Sequence, residues 1–580
     1  MKKATALLLS LIMLLGVTAA PVYATAETEK SFGEKAGDLF TRGLGAVVSG
    51  LTSGLNFIMR ENESFIPEED YTYDNFYEGT TEFIKEAKQG ASWSLGKAEM
   101  SLLPENYEEY DLFLGGFLTG GNGFKNDMRE VLDDMKVRVI ALNDGSQRGT
   151  TVFATVDAIG VSNGDIRQIR SMLTSFAKEN DINAINIFAT HAHSCIDTQG
   201  LWTDIQHKWP KNFLHAFTGI GDSLQGTDEK YMSFFRQTVS NAIETAVASM
   251  EKGSMTYAEK EIPGYFSNKN RQSASSMDEK LRRIAFYPEN ESSTPTFIVN
   301  IAAHPDVAGL AVKDDPVKGH GLSGDYIYYM GEALNTLGYD FMFFNGAICG
   351  IYIGRRDINT DRRVEIPAGY GKEVAQMTYA LSMTEDEILA DEKLMSLNFT
   401  EEQTEGHDNF TYWYENWEKA EEKAVEPILN IRLRATELKA TNPIIKIAAK
   451  LGLANYQIKK TADKEYFITS EIGYMEIGKE LKFALVPGEF CSDLVRGGDS
   501  LKGYGSISGK AFGGRTLSEI FDDENIIVLG LANDAIGYIV PDNDYCMSLG
   551  MGHYHETLSL GKNTASTLMS AFEELAEELA

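Results

Sequence analysis

Between Lys136 and Leu529 the sequence returns repeatedly to short apolar runs rich in β-branched and aromatic residues, and helical periodicity fills the stretches between them. Lys136–Leu142, Thr151–Val156, Ala184–Ala189, Thr296–Ala302, Phe341–Phe344, Leu481–Val486 and Asn525–Leu529 are the predicted strands. An Asn-Asp-Gly turn follows the first of them at Asn143 to Gly145. Gly164–Asn180 has a helical apolar face at Ile166, Ile169, Met172, Leu173 and Phe176, and further helices are expected over Tyr326–Thr336 and Thr564–Leu579. Met377–Lys450 is charged and predicted to be mainly helical. Such an alternation predicts an α/β (mixed α+β) fold, one large domain built on a single extended mixed sheet system.

Several of the predicted strands run directly into residues that can do chemistry. Thr190-His191-Ala192-His193-Ser194 follows the Ala184 strand, and in extended chain residues two apart face the same side, so both imidazoles can enter one site. Ala303-His304-Pro305-Asp306 follows the Thr296 strand, and Pro305 ends the ladder there. Val486-Pro487-Gly488-Glu489 presents a carboxylate after a third strand, and Gly537-Tyr538 trails a fourth. Each has a plainer explanation by itself: a strand-capping His, a solvated Glu, a core Tyr. Their shared placement at strand C-terminal ends, the edge where α/β sheets assemble sites, points to a metal centre or a catalytic one. Cys195, Cys349, Cys491 and Cys546 stand beside the same segments, which predicts a local disulfide or small buried thiols shaping the site, with no thiolate ligand required.

Met1-Lys2-Lys3, the apolar run Ala4–Ala20 and the small residues around Ala24 and Ala26 form a secretory signal pattern, cleaved after one of those alanines. Secretion to the extracellular side is the expected location. The stretch Asp38–Met59 is glycine-rich, apolar and nearly uncharged. It is read as packed on the main body, with peripheral contact to a membrane or lipid aggregate as the second reading. A formal net charge of −32, from 85 acidic and 53 basic residues, argues against nucleic-acid partners.

Taken together, these motifs resemble the neutral ceramidases. Thr190–Ser194 is similar to that family's Thr-His-Thr-His-Ser, Asn300–Pro305 to its second histidine motif, and Leu322-Ser323-Gly324-Asp325 to the Ser-Gly-Asp that follows. Pro487–Phe490 matches its Gly-Glu-Phe, and Asn533–Tyr538 keeps the Asn and final Tyr of its Asn-x-Tyr-x-x-Tyr. The resemblance spans about Gly96 to Gly561 and divides the chain into a signal peptide (1–26), an N-terminal extension (27–95) and a zinc hydrolase domain (96–580). It implies a secreted zinc amidohydrolase that cleaves the amide of ceramide or a related N-acyl lipid with a zinc-activated water. His191, His304, Glu489 and Tyr538 are the implied zinc ligands, His193 an acid/base group, and Asp325 a partner that orients a ligating His. The chain departs from the family in three ways. Asn345–Gly350 holds no serine where the family has Gly-Asp-Val-Ser-Pro-Asn. Cys195-Ile196-Asp197 replaces Gly-Pro-Gly. No C-terminal immunoglobulin-like domain is expected after Gly561. Two alternatives stand beside the amidase: a zinc hydrolase of other amides or esters on the same scaffold, and a non-catalytic binding protein with a relict site. A complete ligand set disfavours the last.

Overall fold

The computed structural model describes residues 32–116, 126–203, 205–269, 276–308, 321–354, 365–407, 410–547 and 553–580. The expected signal peptide lies outside them.

Two sheets, rather than the single extended one expected, form the centre of the fold. The nine-stranded sheet runs Asp340–Asn345, Thr296–Ile301, Lys280–Pro288, Glu251–Glu261, Trp93–Ser101, Lys136–Asn143, Thr150–Val156 and Ile182–Ala189, with Lys423–Val425 added beside Glu251–Glu261. Its middle is antiparallel, and each end is a parallel pair. The helical segments Asn163–Glu179 and Asp325–Leu337 make the two parallel crossovers. The six-stranded sheet contains Phe65–Pro67, Ile458–Lys460, Tyr466–Ile477, Leu481–Leu485 and Ile527–Leu529, with Leu429–Lys439 paired along Tyr466–Ile477.

Period-two alternation explains the layering. In Lys136–Asn143, Val137, Val139 and Ala141 face one way, toward helices Asn163–Met172 and Glu229–Ala248, while Ile140 and Leu142 face the second sheet. Ile431, Leu433, Met475, Ile477, Phe483 and Leu485 meet them from that sheet. Its opposite face, including Ile468, Ile472 and Ala484, packs on Thr564–Leu579 and Pro443–Lys450. The order is therefore helix, sheet, sheet, helix. The nine-stranded sheet also curls until its ends meet: Phe344 of one edge strand packs edge-on against Phe188 of the other, ring centres 4.9 Å apart.

Two more sequence expectations are corrected here, and a third, the packing of the N-terminal stretch on the main body, holds. Met377–Lys450 is mainly helical only at its two ends, because Leu429-Asn-Ile-Arg-Leu-Arg alternates with period two and forms an 11-residue strand. Gly164–Asn180 is two helices, Asn163–Met172 and Thr174–Glu179, which break at Leu173 and leave Met172 exposed rather than on the packed face. The apolar N-terminal stretch forms the helix Phe32–Ile58, seated on Pro443–Lys450.

Candidate metal centre

The curl of the large sheet brings the C-terminal ends of distant strands together. The strand before His191 ends at Ala189, and His191 takes φ +68°, a left-handed conformation uncommon for a residue with a Cβ. Strand alternation therefore does not orient His191 and His193: the chain has already left the strand when it presents His191. A ladder of backbone bonds holds the bend, with Thr190 N–H donating to Val156 O at 2.9 Å and His191 N–H to Ala158 O at 3.0 Å. His193 N–H donates to Pro305 O at 2.9 Å, which ties this loop to the one bearing His304. Asn345 Nδ2 donates to Thr190 O at 2.9 Å, so the opposite edge strand braces the same bend.

Glu489 arrives from the second sheet and pairs with Tyr538 in a short parallel bridge. Asn533 stitches this sheet to the first. Its Oδ1 accepts from Ile187 N–H at 2.9 Å, and its Nδ2 donates to Asn186 Oδ1 at 3.0 Å.

His191, His193 and His304 then lie together, with one ring nitrogen from each within 4.8 Å of the others. Their ring centres are 4.7 to 5.5 Å apart. His191 Nδ1 meets Ile159 O at 2.7 Å and His304 Nδ1 meets Ile351 O at 2.7 Å. A carbonyl can only accept, so each Nδ1 carries the hydrogen and, with no second proton on the ring, each Nε2 turns a lone pair inward. Both Nε2 atoms face one oxygen of Glu489, at 2.9 Å from His304 and 3.4 Å from His191. Three acceptors around a buried point repel one another unless a proton or a metal cation stands between them. The donor set, two imidazoles with carbonyl-fixed tautomers and a carboxylate, fits zinc.

The charges follow from the packing. Burial would raise the Glu489 carboxyl, but His191 and His304 outweigh it and hold it well below the carboxylate range. Burial would lower His304, and the hydrogen bond and charge of Glu489 reverse that and raise it. His193 is lowered well below the usual histidine value, first by burial and then by the two neighbouring imidazoles, so it is neutral at pH 7.

Asp325 lies elsewhere than expected. Its carboxylate accepts from Val307 and Ala308 N–H at 2.8 Å each and from Tyr326 N–H at 2.7 Å. It fixes the loop after His304 and hydrogen-bonds no imidazole among the described residues; the orienting partners of His191 and His304 are backbone carbonyls. All four cysteines are buried thiols, the second of the two arrangements expected. Burial raises the Cys195 and Cys491 thiols, which disfavours thiolate ligation.

Two residues escaped the sequence reading. Tyr352 stacks on His304 with ring centres 4.6 Å apart. Tyr554 sits between Tyr352 and Tyr538, oxygen to oxygen 3.1 and 3.0 Å. Tyr352 follows a predicted strand and turn, the same signal that drew attention to the histidines. Tyr554 carries no such signal.

No protein-family model and no curated protein matches the sequence. Solved structures do match in fold. A structure described as neutral ceramidase from Pseudomonas aeruginosa superposes with a TM-score of 0.52 at 12% identity, over 84% of this chain and 75% of that one. A structure described as ceramidase complexed with C2 gives 0.53 at 12% identity, over the same shares. The fold is thus ceramidase-like.

Proposed function

We propose that the chain is a zinc-dependent amidohydrolase that cleaves ceramide or a related N-acyl lipid. The observation that carries the proposal is the convergence of the His191 and His304 Nε2 atoms on one buried Glu489 oxygen. The ceramidase-like fold supports the substrate class. His191, His304, Glu489 and Tyr538 would hold the ion. Zinc, when bound, supplies Lewis acidity and an activated water near neutral pH. Ile159 O and Ile351 O keep the two ligating rings in the productive tautomer. His193, beside the other two rings, would take a proton and pass it to the leaving amine. Asp325 holds the His304 loop as a positioning residue.

Metal content and ceramide hydrolysis, measured on the same preparations, test this. About one zinc per chain is expected. His304→Ala should lose both metal and turnover. His193→Ala should keep the metal and lose about a hundredfold or more in rate. Full turnover by His304→Ala, or no metal uptake by the parent chain, would overturn the proposal. Loss of metal in His193→Ala would move His193 into the ligand set.

A further inference from the structure

The helix Phe32–Ile58 is anchored on one side only. Val48 and Thr52 are buried, Lys450 Nζ donates to Asn56 O at 2.8 Å, and a Cβ on Gly45 would meet Met547 O at 2.7 Å. The other side faces outward with Val47, Leu51, Phe57 and Ile58, and Phe57 is 85% exposed. Gly50 and Gly54 lie on the open part of the helix, where an added Cβ would meet nothing within 4 Å. The helix Ile205–Thr218 adjoins its C-terminal end: Arg60 N–H donates to Ala216 O at 2.6 Å, and the Arg60 guanidinium lies over Gly219. That helix and its following turn add exposed Leu214 and Ile220. Six of the nine large apolar side chains exposed among the described residues fall in these two segments. A monomer rarely leaves such a patch uncovered.

The charge around the patch selects its partner. Residues 42–60 and 205–221 contain no Asp or Glu, in a chain with 85 acidic residues, and they carry Arg42, Arg60 and Lys211; Lys208 turns to Gly226 O, and Glu61 and Asp222 stand just beyond the segment ends. We propose that this two-helix surface docks on an anionic phospholipid bilayer, with Phe57 and Ile58 inserted among the acyl chains and the basic residues at the phosphates. The acidic remainder of the chain is repelled by the same headgroups, which leaves this face the favoured one to approach. At physiological ionic strength that repulsion reaches only about 8 Å, so the local basic ring governs contact. The patch continues into the site's own framework: Gly45 touches Met547, in the segment after Tyr538, and the Ile205 helix follows the loop of His191 and His193. The proposal is independent of which bond the centre cleaves.

The test uses the full chain carrying Phe57→Cys labelled with an environment-sensitive fluorophore; the native cysteines are buried. Leu389→Cys, exposed and outside both segments, is the reference label. With vesicles of phosphatidylcholine and phosphatidylglycerol the Phe57→Cys emission should shift to the blue while the Leu389→Cys emission stays put. Pure phosphatidylcholine should give a weaker shift. Adding Leu51→Glu and Ile58→Glu to the labelled chain should reduce the partition coefficient about tenfold or more. No shift at Phe57→Cys, or equal shifts at both positions, would overturn the proposal. A shift that follows protein concentration without lipid would overturn it in favour of a second copy of the chain as occupant.

Discussion

Asn533 occupies a left-handed conformation, φ +56°, and ties the loop after one sheet to the edge strand of the other. Asn tolerates that backbone better than most residues, and its amide matches the Ile187 N–H and the Asn186 carbonyl oxygen together. Asn533→Ala strands both partners in a dry seam and should cost about 2–3 kcal/mol, read as a lower urea midpoint with an unchanged slope. Asn533→Gly restores the backbone freedom without the hydrogen bonds and should recover less than half of that loss; an unchanged midpoint for both variants would refute the stitch. The sequence marked Asn533 through its place in a motif, but gave no hint that its partner lay in the strand before His191. That partnership depends on the curl of the large sheet, and no local pattern encodes a curl.

At the scale of elements, lysine at position 450 works as a C-terminal cap for a helix distant in sequence, donating to both Asn56 O and Met59 O. Lys450→Met keeps the apolar stem and removes the donor, and should weaken the helix end by about 1 kcal/mol. Hydrogen exchange should accelerate over residues 52–60 and remain unchanged in the central strands; uniform acceleration would mean the cap is not local. Strands and helices with strong periodicity were legible from sequence: Thr564–Leu579 has the bounds expected, and the Asn143 turn closes on Asn143 Oδ1. The Leu429–Lys439 strand was hidden by its charged surroundings, although its alternation was there to read. Of the candidate site, the histidines and Glu489 were legible as candidates because each follows an apolar strand. The contacts of Asp325 were not legible, because Ser-Gly-Asp says nothing about which backbone amides its carboxylate will meet.

For the whole molecule, buried carboxyls set the response to pH. Burial raises Asp133 to about 6, and Asp325 and Asp534 to about 7, despite the hydrogen bonds each accepts. In the unfolded chain all three titrate near 4. The folded state therefore holds more protons between pH 4 and 7, so their contribution to stability is full below about pH 4 and is lost as pH rises through 7. Melting temperature should fall from pH 5 to pH 8, and Asp534→Asn should flatten that slope. A melting temperature that climbs across this interval would contradict the burial of these groups as neutral acids.

The seam between the sheets also fixes when in the life of the chain its chemistry can begin. His191 and His304 have emerged once little more than half of the chain is made, but the carboxylate that faces them is residue 489, and Tyr538 follows later still. The apolar face of the large sheet waits equally long, because Ile431 to Leu529 supply its cover. A nascent chain halted before Glu489 thus carries two histidines with no carboxylate opposite them and an unshielded sheet, a species built for chaperones rather than for catalysis. Completion of the core and assembly of the centre are one event.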